Sequence, residues 1–114
     1  IFDASEALDR NFIRSVHKES DLLADARKLA AEFANQTSAV SVAMTRQMMW
    51  KMLGADHPVE AHKIDSRGVY FTGKSADAHE GVQSFLEKRP AEFKDKVSED
   101  MPEFFPWWEK RQFK

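Results

Sequence analysis

Cysteine is absent from the 114-residue chain, and glycine and proline occur only four times each. Without cysteine the chain forms no disulfide, thiolate metal site or cysteine nucleophile. This composition is typical of a reducing compartment, and we expect a cytoplasmic location. Scarce glycine argues against loops that wrap closely around a bound cofactor. No apolar run approaches the roughly 20 residues of a membrane-spanning helix, so we expect no membrane partner.

An excess of positive charge is also missing. The 17 Lys and Arg residues and the 19 Asp and Glu residues leave a net charge of −2. This balance excludes a globally basic nucleic-acid binder, and we expect no nucleic-acid partner. The chain opens at Ile1 without the charged and apolar regions of a signal peptide. We expect it to be a fragment of a longer protein.

Hydrophobic spacing and capping residues predict a mainly α-helical chain. A short helix is expected over residues 4–9. Four longer helices are expected at about 21–35, 38–53, 58–68 and 75–89. Ser75 is the expected N-cap of the last helix, and Pro90 stops it. Because Gly68 and Gly73 bracket residues 69–71, we expect the preceding helix to loosen there.

The stretch Phe12–Val16 predicts one short β-strand, because it is rich in aromatic and β-branched residues. A lone strand needs a partner for its N–H and C=O groups. No second strand is predicted anywhere in the chain. We therefore expect the strand to pair with a part of a larger fold that lies outside these residues.

Two apolar features need a covering surface. Methionines give the second long helix a wide apolar face, which is more typical of a core or a subunit interface than of a ligand site. The C-terminal segment carries several large aromatic residues, and we expect them to cover apolar surface on this chain or a partner. These residues are Met44, Met48, Met49 and Met52 on the helix, and Phe104, Phe105, Trp107 and Trp108 in the tail.

Between Ser75 and Arg89 the chain reads SADAHEGVQSFLEKR, and Phe93 follows. This order of residues resembles the C-terminal signature of the crotonase (enoyl-CoA hydratase/isomerase) superfamily. Segments 2–7, 23–30 and 39–46 agree with the same family in order and spacing, so the resemblance spans nearly the whole chain. One departure is the pair Arg10–Asn11, where the family often has a glycine before the strand.

The resemblance implies a division of the chain and an assembly. Residues 1–18 would be the end of the crotonase-like core, and residues 19–114 the helical C-terminal portion that builds a trimer or a dimer of trimers. The substrate would be an acyl-coenzyme A thioester, as in fatty acid metabolism, with no tightly bound cofactor. The parent enzyme would add water to a 2,3-enoyl-CoA or perform related enolate chemistry.

The resemblance also implies what the chain lacks. In this family the oxyanion-hole loops and the catalytic acids precede the segment present here, so we expect no catalytic residue in it. The 114 residues alone should be inactive, since an enolate needs preorganised donors. Hydratases and isomerases of the superfamily share this kind of C-terminal end and differ upstream.

Two side chains carry over from similar hydratases, in which they reach the coenzyme A bound to a neighbouring subunit. They match Phe85 and Lys88. The phenyl ring of Phe85 would line the pocket, and the cation of Lys88 would pair with a phosphate of coenzyme A. Other interpretations stay open, since periodicity alone places Phe85 in a core. Lys88 and Arg89 together also fit a solvated helix end that complements the helix dipole.

Other functions can be considered from the residues alone, without the resemblance to this family. His62 and Asp65 lie one turn apart, but two such residues without further ligands predict no metal site. The main alternative is a free-standing, non-enzymatic helical protein-interaction module, against which the unpaired strand argues. A small acyl-CoA carrier is a weaker alternative, because it needs a closed pocket within four helices.

Overall fold

The computed structural model describes residues 1–109 and 112, and its regular elements are five helices. These are α1 (Ala4–Asp9), α2 (Glu19–Gln36), α3 (Ala39–Met52), α4 (Pro58–Thr72) and α5 (Ala76–Glu87). The prediction of a mainly helical chain is confirmed. None of these helices is long and apolar enough to cross a membrane. The chain divides into two compact units, Ile1–Phe33 and Ala34–Lys114.

The predicted strand over Phe12–Val16 is wrong, because this segment ends a helix instead. Asn11 takes the left-handed conformation with φ 56°. The N–H of Phe12 donates to the carbonyl of Ala7 (2.8 Å), and the N–H of Asn11 donates to that of Leu8 (2.9 Å). This is the Schellman pattern, in which Asn is an accepted substitute for glycine. Residues with a high strand propensity form a strand only when a partner strand is available. The described residues contain no strand.

Helix α1 is capped at its start as well. The side chain of Asp3 accepts a hydrogen bond from the N–H of Glu6 at 2.8 Å. This bond lowers the pKa of the Asp3 carboxyl, since it favours the charged form. Ala7 is the buried residue of this short helix. Both ends of α1 are therefore satisfied locally, which explains how six residues hold a helical shape.

The second unit is built on the packing of α3 against α4. Val40 and Met44 of α3 are buried, and so is Gly68 of α4. A Cβ atom at Gly68 would lie 3.1 Å from the methyl carbon Cε of Met44, so glycine lets the two helices approach closely. Helix α4 continues through residues 69–71 to Thr72, so the expected loosening is wrong. Gly68 serves here as a contact surface and does not break the helix.

The C-terminal aromatic residues fold back onto this unit. Phe104 meets Phe71 of α4 edge-on, with ring centroids 6.3 Å apart, and the Arg67 guanidinium lies 4.2 Å from the Phe104 ring. Lys51 of α3 lies over the ring of Trp108 at 4.7 Å. The half-buried tail therefore covers part of α3 and α4, as its aromatic composition predicts.

Candidate functional site

Helix α5 carries the predicted site residue Phe85, and the other, Lys88, follows directly after it; the helix buries polar side chains and exposes apolar ones. Asp77 and Ser84 are buried, with 2% and 4% of their surface exposed, while Phe85 is 78% exposed. Val82 and Leu86 are exposed beside Phe85. The periodicity interpretation that Phe85 is a core residue is wrong for this chain. An exposed apolar face of this kind is a mark of an interaction surface.

The buried face of α5 packs against residues 89–95, which we call the return segment. Asp77 Oδ1 accepts the backbone N–H groups of Lys94 (2.7 Å) and Asp95 (3.1 Å). In return, Asp95 accepts the N–H of Asp77 at 3.3 Å. Phe93 lies over Gly81, where an added Cβ would stand 3.6 Å from its ring. Carboxylates on the helix thus supply the hydrogen-bond acceptors that an extended segment needs.

Lys88 is the first residue after α5, and its backbone is left-handed, with φ 56° and ψ 39°. The N–H of Lys88 donates to the carbonyl of Phe85 (3.4 Å), and that of Arg89 to the carbonyl of Ser84 (3.1 Å). The helix therefore ends in a Schellman motif, with a lysine where glycine is usual. The expected helix end at Arg89 is corrected to Glu87. A residue with a Cβ atom is disfavoured in this conformation by steric contact with the carbonyl oxygen.

Arg89 forms an ion-pair cluster with Glu80 and Glu87, which we call the Arg89 cluster. Its Nη1 and Nη2 atoms donate to the two oxygens of Glu80 at 2.5 and 2.8 Å. Its Nε atom donates to Glu87 Oε2 at 2.6 Å. Glu80 also accepts the N–H of Glu92 at 2.8 Å. The two-point geometry with Glu80 is the favourable one for a guanidinium and a carboxylate.

The Arg89 cluster shifts the pKa values of all three of its members. The hydrogen bonds from Arg89 and then from the Glu92 N–H lower the pKa of Glu80 to about 2. The pKa of Glu87 is lowered by hydrogen bonds from Gln83 and Arg89. The pKa of Arg89 is raised, chiefly by its bond to Glu80. All three groups therefore stay charged at neutral pH, and Arg89 is not a free cation.

A second polar chain lies in the first unit, at the start of α2. Ser15 Oγ lies 2.6 Å from His17 Nε2, and His17 Nδ1 lies 2.5 Å from Asp25 Oδ2. Hydroxyl, imidazole and carboxylate follow the order of a nucleophilic relay, but such a relay buries its carboxylate. The side chain of Asp25 is 46% exposed. We assign the chain a structural role, which is to fasten residues 15–17 to α2.

The remaining candidate sites are weaker. His62 and Asp65 are exposed on α4, and residues 1–109 and 112 bring no three potential metal-ligating side chains together. A groove of about 780 Å³ lies beside α4. Of the cations that line it, Lys74 already lies 3.7 Å from the Tyr70 ring. The groove is open, so it does not provide the closed pocket that a carrier of acyl groups needs.

Comparison with known proteins decides the family. Residues 1–96 match the family model described as enoyl-CoA hydratase/isomerase. The chain belongs to the enoyl-CoA hydratase/isomerase family. Over 92 residues it is 36% identical to the enoyl-CoA hydratases AFT3-1 and ACTT3 of Alternaria alternata. The match covers 81% of this chain but only 30% of each relative, so the chain spans under a third of their length.

Solved structures agree with this assignment. One protein of Mycobacterium abscessus, described as an enoyl-CoA hydratase/isomerase, matches with a TM-score of 0.76 at 21% identity, over 83% of this chain and 37% of that one. At this identity the match shows the fold alone. A second protein of that organism and description matches with a TM-score of 0.69 at 28% identity, over 80% of this chain and 37% of that one.

The structure gives the family signature a physical meaning that the sequence did not. Ser75 caps α5, since its Oγ accepts the N–H of Ala78 at 3.1 Å. Asp77 and Glu80 hold the return segment, and Arg89 binds back to Glu80. Sequence analysis placed Arg89 beside Lys88 at a solvated helix end and did not predict its pairing with Glu80. The one available signal was the placement of Pro90 directly after Arg89, which turns the chain back toward the helix.

Proposed function

We propose that the chain is the C-terminal portion of a longer enoyl-CoA hydratase/isomerase subunit. Residues 1–18 would complete its core, and residues 19–114 would serve assembly. The observation that carries the proposal is that the chain matches the family over residues 1–96 but spans only 30% of the length of its curated relatives. The chain also leaves large apolar side chains such as Leu53 and Phe85 exposed, and further chain or further subunits would cover them.

The whole subunit would act on acyl-coenzyme A thioesters and need no tightly bound cofactor. Its reaction would be the addition of water to a 2,3-enoyl-CoA or related enolate chemistry. That reaction needs preorganised donors for the thioester oxygen and an acid–base group. We assign neither to this chain, so the 114 residues alone would be inactive. The similarity to curated hydratases over 81% of the chain supports the substrate class.

Assembly would use the apolar faces of α3 and α5. Met49, Trp50 and Leu53 are 72%, 66% and 82% exposed at the end of α3. Phe85 and Leu86 extend the exposed apolar surface on α5. Clusters of exposed large apolar side chains mark interaction surfaces. They support a homo-oligomer, which we propose to be a trimer or a dimer of trimers.

Phe85 and Lys88 would form part of the rim around the coenzyme A bound to a neighbouring subunit. Both side chains are exposed at the same end of α5. Within residues 1–109 and 112, the Lys88 ammonium takes part in no hydrogen bond or ion pair. A free ammonium group suits a phosphate as a point charge. The exposed phenyl ring of Phe85 suits an apolar part of the ligand.

The first experiment is the intact mass of the protein isolated from its source. We expect a mass well above 13.1 kDa, followed by hydration of a short enoyl-CoA such as crotonyl-CoA. In that subunit Lys88→Ala should raise KM about two- to fivefold without lowering kcat, the effect of one exposed ion pair. Glu60→Gln, which removes a surface pair with Lys63, is the control. A mass of 13.1 kDa in the source would contradict the proposal.

The alternative of a free-standing interaction module loses one counter-argument, because the unpaired strand is not present. The exposed faces of α3 and α5 would suit such a module equally well. A 13.1 kDa product that is a stable, monodisperse monomer in solution would favour it. An oligomer made from a longer polypeptide would favour the enzyme subunit.

A further inference from the structure

We propose that Glu80 and Arg89 are positioning residues that hold Lys88 toward the coenzyme A phosphate, an inference that rests on the proposed function. The sequence places two cations side by side, Lys88 and Arg89, and either could meet a phosphate. The structure separates their roles. Each guanidinium nitrogen of Arg89 donates to a carboxylate or a carbonyl, while within residues 1–109 and 112 the Lys88 ammonium has no such partner.

The Arg89 cluster encloses Lys88 from both sides along the chain. Glu87 precedes it and accepts from Arg89 Nε at 2.6 Å, and Arg89 follows it. Glu80 lies two turns back on α5 and binds Arg89 at two points. The residues on either side of Lys88 are therefore tied to each other and to the helix. This arrangement limits the φ and ψ values that Lys88 can adopt.

The backbone of Lys88 needs such support. Its φ of 56° lies in the left-handed region, which disfavours residues with a Cβ atom. Strained backbone of this kind persists where neighbouring contacts over-determine it, and it is found at ligand sites. Glycine would satisfy the same turn without strain but would carry no charge. A lysine at this position thus carries steric strain that glycine would avoid, and a ligand contact would explain why a lysine is present.

The cluster also removes competing charge. Glu80 and Glu87 lie close to Lys88 in sequence and could pair with its ammonium group. Both carboxylates instead face Arg89, at 2.5 to 2.8 Å. Among the residues that the structure describes, the Lys88 ammonium is thereby left without a partner, as a phosphate site requires. Glu80 and Arg89 would act through Lys88 and would not touch the ligand themselves.

The test uses steady-state kinetics of the complete subunit with crotonyl-CoA. Glu80→Gln keeps an acceptor for the Glu92 N–H but removes the charge that holds Arg89. We expect this change to raise KM about two- to fivefold at unchanged kcat. In the Lys88→Ala background the same change should leave KM where Lys88→Ala alone puts it. A purely structural role would add its effect in both backgrounds.

Each outcome decides between the inference and the proposed function. If Lys88→Ala raises KM and Glu80→Gln does not, the positioning role is wrong and the phosphate contact stands. If Glu80→Gln raises KM equally in both backgrounds, the cluster acts on the fold, and the inference is also overturned. If Lys88→Ala leaves KM unchanged, the proposed coenzyme A contact fails and the inference fails with it. Glu60→Gln controls for the loss of a surface carboxylate. Arg89→Lys should give a KM between those of the wild type and of Glu80→Gln.

Discussion

At the scale of single residues, the most informative position is the left-handed one after a helix. Asn11 and Lys88 both adopt φ 56°, and both complete a Schellman motif. Asn is tolerated there because its short polar side chain suits the left-handed region, whereas Lys has no such advantage. The same left-handed conformation therefore carries little steric strain at Asn11 in the first unit and more at Lys88 in the second.

Replacing Lys88 by glycine should stabilise the fold and weaken the proposed ligand contact. The expected gain is about 1 kcal/mol in the free energy of unfolding, because the steric penalty disappears. Urea unfolding of the purified protein measures this gain. Asn11→Gly is the matched control and should change stability by less. A loss of stability on Lys88→Gly would mean that the lysine side chain itself supports the fold.

The low pKa of Glu80 predicts an acid-dependent stability. The folded-state value of about 2 lies below the ordinary value of 4.5. Below pH 4.5 the unfolded chain therefore binds a proton that the folded chain does not, and stability falls as the pH drops toward 2. We expect the stability difference between wild type and Glu80→Gln to be full above pH 5 and to shrink between pH 4.5 and 2. Thermal unfolding across this range measures it, and a constant difference would contradict the low pKa.

At the scale of elements, the helix starts differ in how they are capped. Ser75 accepts the N–H of Ala78 at 3.1 Å, and Asp95 accepts the next N–H toward the N-terminus. Ser38 stands at the N-cap of α3, but its side chain makes no capping bond. The same residue type at the same position thus contributes differently, and the difference is testable.

Ser75→Ala should lower the free energy of unfolding by about 0.5–2 kcal/mol, the usual value of a serine cap. Ser38→Ala should change it by much less, because no capping bond is lost. Chemical denaturation of the two variants under identical conditions makes the comparison. Equal effects would mean that the Ser38 side chain caps α3 in solution.

At the scale of the whole molecule, the buried apolar core is small. Ala7, Val40 and Met44 are the buried hydrophobic residues in the part of the chain that the structure describes. Large side chains such as Phe85 and Leu53 remain exposed. Burial of apolar surface is the main stabilising contribution to folding, so these 114 residues gain little of it alone. Their stability should depend on contacts with more polypeptide.

Expressed by itself, the 114-residue chain should therefore self-associate in a concentration-dependent way. Sedimentation velocity over a range of protein concentrations tests this. The double change Met49→Lys with Leu53→Lys should shift the distribution toward monomer, because it places charge on the exposed end of α3. Thr45→Lys, also exposed on α3, is the control. A wild-type chain that stays monomeric throughout would argue against the assembly role.

Local sequence patterns were enough to predict the helices, and the order of motifs was enough to predict the family. Helical spacing, caps such as Ser75 and stops such as Pro90 act over a few residues, so they can be recognised in the sequence. The order and spacing of several motifs, from residues 2–7 to residues 75–89, identified the superfamily, and no single motif was decisive alone. That residues 12–16 form no strand could be seen only in the folded chain, since a strand depends on a partner that local composition does not supply.

Tertiary structure also decided which cation is available at the end of α5. Lys88 and Arg89 are equivalent in a sequence, because both are basic and adjacent. The return of residues 89–95 along the helix brings Arg89 to Glu80, nine residues away, and leaves Lys88 exposed. That pairing depends on the chain reversing direction at a left-handed residue. Neither spacing nor propensity predicts such a reversal at a lysine, because glycine is the residue that normally signals it.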